Sequence, residues 1–113
     1  IIVAGNKVFP IEVEQALSKN ALVKEVAVTG EEHRRLGQIV KATIVLNDPE
    51  LSEELKSNDQ ETVKLAREKV LTNLKEFARD NLKRELRPMV WDLRPSDNPL
   101  PKTRSGKIDK KSL

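Results

Sequence analysis

Two runs of apolar, mainly β-branched residues limit the possible folds of this chain more than any other feature. They cover residues 22–29 and 38–46, and such side chains favour strands because they pack well on a pleated surface. Residues 30–37 between them are largely polar and charged, which suits an exposed hairpin loop. The sequence therefore predicts two adjacent strands joined by a polar loop.

A long amphipathic helix is predicted after the second run, near residues 61–86. Asp59 or Ser57 is placed to cap its start, and Pro88 prevents its continuation because proline lacks the N–H that a helix needs. The apolar residues recur at three- and four-residue steps, the period of a helix face; they are Val63, Ala66, Val70, Leu74, Phe77, Ala78 and Leu82.

Shorter elements are predicted on both sides of these segments. Gly5 and Asn6 tolerate positive φ and indicate a tight turn within a small hairpin at residues 1–9. Pro10 suits the first turn of a short helix that ends by Asn20. A further strand, at the edge of the sheet, is predicted at residues 89–93.

Together these elements predict an α+β fold. It consists of a small N-terminal hairpin and a short, mainly three-stranded sheet packed with helices, one of them the long helix. The 113 residues match the usual length of one domain.

The composition excludes several classes of site. Cysteine is absent and His33 is the only histidine, so disulfides, thiolate nucleophiles and histidine or cysteine metal sites are excluded. No apolar run approaches the roughly 20 residues that a membrane helix needs. With no leader-like start, we expect a cytoplasmic protein, and we interpret Ile1 as a cut edge within a longer chain.

Positive charge is concentrated near the C-terminus. Residues 102–111 contain five basic residues against one acidic residue, while the whole chain carries a net charge of only +3. Such a segment attracts an anionic ligand or an acidic surface. A basic binding module without catalysis is therefore one possible function, although an aromatic content of 3% argues against stacking on nucleic acid.

Two motifs resemble the adenylate-forming superfamily, which includes acid:CoA ligases, carrier-loading adenylation domains and luciferases. Residues 100–109 read Leu-Pro-Lys-Thr-Arg-Ser-Gly-Lys-Ile-Asp and resemble the C-terminal signature of that family. Residues 5–14 read Gly-Asn-Lys-Val-Phe-Pro-Ile-Glu-Val-Glu and are similar to the motif that follows its interdomain hinge. The resemblance implies that residues 1–113 are the C-terminal lid domain of an AMP-forming acid:CoA ligase, without the large domain that binds ATP and the acyl group.

The resemblance also implies roles for individual residues. Lys107 matches the lysine that reaches the carboxylate and phosphate oxygens during formation of the acyl-AMP. Gly5, Asn6, Lys7 and Val8 match the turn that lines the pantetheine channel of CoA after the domain has rotated. ATP, CoA and a carboxylic acid are the implied substrates, with Mg²⁺ expected to accompany ATP and not to bind this domain.

Elementary chemistry agrees with the role assigned to Lys107. An ammonium group on a flexible stem suits the stabilisation of charge that builds on a transferring phosphoryl group. Ser105 and Gly106 allow the backbone to approach a substrate before Lys107 extends. An adenylation domain that loads a carrier protein would use the same lysine, so the sequence leaves the acceptor open between free CoA and a protein-bound arm.

Overall fold

The computed structural model describes all residues, 1–113, and confirms the α+β fold. Five strands are present: β1 (Ile2–Val3), β2 (Asn6–Lys7), β3 (Val23–His33), β4 (Gly37–Leu46) and β5 (Val90–Arg94). The three α-helices are α1 (Pro10–Leu17), α2 (Pro49–Leu55) and α3 (Gln60–Asn81). Two short 3₁₀ turns lie at Arg84–Leu86 and Lys110–Ser112. No helix has both the length and the apolar character needed to cross a membrane.

Strand β4 is the centre of the sheet. It pairs antiparallel with β3 along one side, and on the other side it pairs parallel with β5 and, at Gly37, antiparallel with β1. Strand β2 pairs only with β1. The sheet is thus mainly three-stranded with a small hairpin at one end, as the sequence predicts, and β3 is an edge strand.

The main core lies between one face of the sheet and the helices. Helix α3 contributes a stripe of four buried residues, each four positions after the last: Ala66, Val70, Leu74 and Ala78. This face packs against buried β-branched and leucine side chains of β3 and β4, together with Trp91 and Leu93 of β5. Each fully buried valine, leucine or isoleucine side chain in this core contributes about 1.5–3 kcal/mol relative to exposure.

The prediction of a loop at residues 30–37 is wrong, because most of these residues lie in strands. The ladder between β3 and β4 continues from Gly30↔Val40 to His33↔Gly37, and the reversal needs only residues 34–36. Polar side chains are tolerated there because most of this part of β3 is exposed. The Nδ1 atom of His33 accepts hydrogen bonds from the N–H groups of Arg35 and Leu36, both at 3.2 Å, which closes the turn.

The long helix is confirmed but ends at Asn81, five residues before the predicted end. Leu82 has extended backbone angles (φ −126°, ψ 142°) and is buried in the core. The Arg87 guanidinium donates to the carbonyl oxygens of Leu82 and Arg79, both at 3.0 Å, which satisfies acceptors that a helix end leaves free. Hydrophobic periodicity could not predict this end, because the side chain that caps the helix comes from a residue beyond it.

The second face of the sheet is covered by the C-terminal tail. Leu100 is 2% exposed and packs with Ala27 of β3 and Val45 of β4, while Ile108 and Leu113 lie partly buried beside them. This small apolar cluster fixes the path of the last fourteen residues, which carry the signature motif. The position of Lys107 therefore depends on the sheet and not on the tail alone.

The connection from β5 to the tail is held against α2. The Ser96 N–H donates to Ser52 Oγ at 3.0 Å, and Lys56 Nζ lies 2.8 Å from Asp97 Oδ2. The Lys56 ammonium holds the pKa of Asp97 below its ordinary value. These contacts place the start of the tail at the end of the sheet where β4 leads into α2.

Candidate functional site

A short loop presents Lys107 at the surface. Lys102 and Ile108 form an antiparallel bridge, and the Thr103 N–H donates to the Lys107 carbonyl at 2.7 Å. Within the loop the Gly106 N–H donates to the Thr103 carbonyl at 3.0 Å, and Gly106 has a φ of +86°. The segment is thus a small hairpin whose reversal requires a left-handed residue, a conformation that glycine adopts without steric cost.

The tip of this hairpin is exposed on the surface of the domain. Arg104, Ser105, Gly106 and Lys107 are all exposed, and a Cβ atom built on Gly106 would meet nothing within 4 Å. The hydroxyl groups of Ser105 and Thr103 lie 3.1 Å apart and bond to one another. The tip is therefore available to a surface supplied by another domain or molecule.

The first stem of the hairpin is anchored to Glu25 on β3. The Glu25 carboxylate accepts from the Leu100 N–H at 3.1 Å and forms an ion pair with Lys102. Burial opposes ionisation of Glu25, but the hydrogen bonds from Lys102 and Leu100 outweigh it and lower the pKa of this carboxyl. The anchor is consequently charged at neutral pH.

The second stem is anchored to Glu14 on α1. Lys110 Nζ lies 3.2 Å from Glu14 Oε2 and donates to the Val28 carbonyl at 2.8 Å. Glu14 Oε2 also accepts from the Val28 N–H at 3.0 Å. The hairpin is therefore tied to the domain on both sides of Lys107.

These anchors divide the basic residues of the tail into two groups. Lys102 and Lys110 are paired with carboxylates, whereas Arg104, Lys107 and Lys111 have no ion-pair partner closer than 4 Å. Two of the five basic residues in this segment therefore hold the tail on the domain and are not free to bind a ligand. The charge that remains free for a ligand is focused on the hairpin and the turn that follows it.

The hairpin of β1 and β2 holds the other predicted site residues. Ala4 (φ 49°) and Gly5 (φ +85°) occupy the turn, whereas Asn6 and Lys7 lie in β2. The expectation that Asn6 shares the positive-φ turn is therefore wrong, because Ala4 takes that place. A Cβ atom on Gly5 would meet nothing within 4 Å, so the space in front of the turn is open.

Val8 differs from its three neighbours because it is buried. Its side chain is 1% exposed in the main core, and its N–H donates to the Ile1 carbonyl at 2.7 Å. Asn6 and Lys7 are exposed, and the Lys7 ammonium lies 6.0 Å from the centre of the Phe9 ring. Val8 thus fixes the hairpin on the domain while the residues before it face outward.

The structure does not bring the two groups of predicted site residues into one pocket. Asn6 lines a surface pocket with Val3, Ala4 and neighbours that include Arg87. Lys107 lines a different groove beside α1. No cluster of three or more His, Cys, Asp or Glu side chains suitable for a metal ion is present. The two groups are therefore suited to separate events and not to one simultaneous contact.

Sequence reasoning missed the anchoring residues. Glu14 reads as an ordinary acid near the start of a helix, favoured there by the helix dipole, and Glu25 lies unremarked within a strand. Their partners are distant in the chain: Leu100 lies 75 residues after Glu25, and Lys110 lies 96 residues after Glu14. Leu100 and Glu14 each lie in a family motif, residues 100–109 and 5–14, but neither motif identified the contact partner.

Comparisons with known proteins bear on this arrangement. The family of AMP-binding enzyme C-terminal domains matches residues 12–107. An acetyl-coenzyme A synthetase of Pasteurella multocida is 35% identical over 111 residues, which are 98% of this chain and 15% of that protein. A mitochondrial acyl-coenzyme A synthetase of Mus musculus is 32% identical over 114 residues, 100% of this chain and 17% of that protein.

Solved structures share the fold. The acyl-CoA synthetase of Brucella canis superposes with a TM-score of 0.69 and 30% identity, covering 99% of this chain and 18% of that one. The chain thus spans less than a fifth of the length of each of these proteins. In each of them the larger part of the polypeptide has no counterpart in the 113 residues.

Proposed function

This chain belongs to the family of AMP-binding enzyme C-terminal domains, and from that membership we propose that it serves an ATP-dependent, AMP-forming acid:CoA ligase. The carboxylate of the acid attacks the α-phosphate of ATP, which yields acyl-AMP and pyrophosphate. The CoA thiol then attacks the acyl carbon, and AMP leaves. The large partner domain holds ATP, its Mg²⁺ and the acid, since relatives are several times longer than this chain.

Lys107 is the catalytic residue of the first step in this proposal. The observation that carries it is a single exposed lysine on a hairpin tip whose two stems are anchored by ion pairs. Its ammonium stabilises the charge that develops on the phosphoryl oxygens, a contact that works best when water is excluded by the partner domain. Ser105 and Gly106 keep the tip small enough for close approach.

The turn at Gly5 serves the second step. Rotation of the domain replaces the Lys107 hairpin by the β1–β2 hairpin at the reaction centre, and the open space beside Gly5 admits the pantetheine arm. Asn6 and Lys7 border that space and Val8 anchors it. Because Asn6 and Lys107 line different pockets, a rotation is the simplest way for both to act. Free CoA is the proposed acceptor, since the relatives are named as CoA synthetases.

The test uses the full-length protein and both half-reactions. Lys107→Ala is expected to slow acyl-AMP formation by about 10²–10³, the usual cost of losing one transition-state contact of this kind. Thioester formation from supplied acyl-AMP and CoA should stay within about twofold of the wild type. Adenylation is measured as ATP–pyrophosphate exchange with acetate, butyrate and octanoate as probes.

The control is Lys111→Ala, which removes an exposed, unpaired lysine of the same tail and should leave both half-reactions unchanged. Equal losses in the two half-reactions of Lys107→Ala would contradict the assigned role, as would undiminished adenylation. The 113-residue chain alone should form no acyl-AMP, because the ATP and acyl pockets are proposed to lie in the partner domain.

A further inference from the structure

Glu14, Lys110 and the peptide groups of Val28 form a closed set of contacts behind the Lys107 hairpin. Glu14 Oε2 is 3.0 Å from Val28 N and 3.2 Å from Lys110 Nζ, and Lys110 Nζ is 2.8 Å from Val28 O. Val28 lies on β3, an edge strand, so its outward N–H and C=O have no neighbouring strand to bond. The ion pair satisfies both groups.

This pair is better defined than an ordinary surface ion pair. The side chains of Lys110 and Glu14 are 38% and 21% exposed, and each also bonds to the rigid backbone of β3. Fully exposed pairs contribute little, in part because two long side chains must be ordered. Here the strand sets the position of both charges, which reduces that entropic cost and makes the geometry specific.

Lys110 links the contacts with Glu14 and Val28 to the hairpin, because it lies close to Lys107 in the chain. It lies three residues after Lys107, and Lys107, Lys110 and Glu14 line the same groove. Between them Ile108 is bridged to Lys102, and the Asp109 N–H donates to the Pro101 carbonyl at 2.8 Å. A shift of Lys110 therefore displaces the stem from which Lys107 projects.

From this geometry we infer that Glu14 is a positioning residue for Lys107, acting through Lys110. The inference rests on the proposed adenylation role of Lys107. Glu14 contacts no reacting atom, and it sets the direction in which the hairpin tip leaves the sheet. Loss of the Glu14 carboxylate leaves the Lys107 ammonium intact but allows it to adopt more orientations. Acyl-AMP formation therefore slows, while the thioester step does not.

The test compares Glu14→Gln and Lys110→Met in the full-length protein. Glu14→Gln keeps an acceptor for the Val28 N–H but removes the charge facing Lys110, and Lys110→Met removes the ammonium while keeping the stem apolar. ATP–pyrophosphate exchange with acetate, butyrate and octanoate is expected to fall about fivefold in each variant, equivalent to about 1 kcal/mol. The double variant should be no slower than either single one, because both remove the same contact.

Two controls separate positioning from general damage. Glu12→Gln changes an exposed acid on the same helix whose side chain makes no hydrogen bond or ion pair, and it should behave as wild type. Lys110→Arg keeps the positive charge and should restore most of the adenylation rate. Thioester formation from supplied acyl-AMP should be unchanged in every variant, and thermal unfolding confirms that each one is folded.

Each alternative outcome has a distinct meaning. Unchanged adenylation in Glu14→Gln, alongside a large loss in Lys107→Ala, overturns the positioning role alone. Additive losses in the double variant, or equal losses in both half-reactions, also overturn it, because they indicate independent or purely structural effects. Undiminished adenylation in Lys107→Ala overturns the proposed function itself.

Discussion

Leu100→Ala tests whether the Lys107 hairpin is held by the second apolar cluster. Leu100 is 2% exposed against Ala27 and Val45, and truncation of a buried leucine to alanine costs about 2–5 kcal/mol. The cluster is small and its outer neighbours are only partly buried, so they can relax into the space. We therefore expect the low end, about 2 kcal/mol.

This loss should appear locally. Amide hydrogen exchange reports opening of separate parts of a domain, and about 2 kcal/mol corresponds to a fall in protection of up to roughly 30-fold. The fall is expected at the tail amides of Thr103 and Asp109, while amides in the middle of α3 keep their protection. Leu65→Ala, at a residue 54% exposed on α3, is the matched control. Equal loss of protection in the tail and in α3 would refute the reasoning.

Two further predictions concern ion pairing and helix capping. Because the pKa of Glu25 is lowered from its ordinary value of 4.5, its ionised form stabilises the fold above that value and the benefit is lost as pH falls through the lowered pKa. Urea unfolding from about pH 7 to about pH 3 should therefore show wild type more stable than Glu25→Gln at neutral pH, with the difference shrinking in acid; a constant difference would contradict this. Arg87→Ala should cost about 1 kcal/mol by removing the donors to the carbonyls that end α3, measured by thermal unfolding against Arg84→Ala, whose exposed side chain makes no hydrogen bond or ion pair; equal effects of the two would rule out the cap.

The elements themselves follow from local patterns in the sequence. Runs of β-branched residues specify β3 and β4, and the four-residue spacing of apolar side chains specifies α3, because both patterns act through neighbours within one element. Where a boundary depended on a distant partner, the prediction failed. Helix α3 ends at Asn81 because Leu82 is drawn into the core and Arg87 caps the last carbonyls.

The candidate site divides in the same way. The motif around Lys107 is contiguous, so it could be identified from the sequence, along with the small residues that make its tip. The anchors could not be identified, because Glu14 and Glu25 meet their partners only after the tail has crossed the second face of the sheet. The separation of the Gly5 turn from the Lys107 hairpin is likewise a result of folding.

The sequence by itself thus determined the types of element, their order and the lysine that is proposed to act in catalysis. Tertiary structure alone decided which charges are free to act, because Lys102 and Lys110 are paired and Lys107 is not. The physical reason is that backbone hydrogen bonding and hydrophobic periodicity are local, whereas ion pairing and burial depend on residues that only the fold brings within a few ångströms of one another.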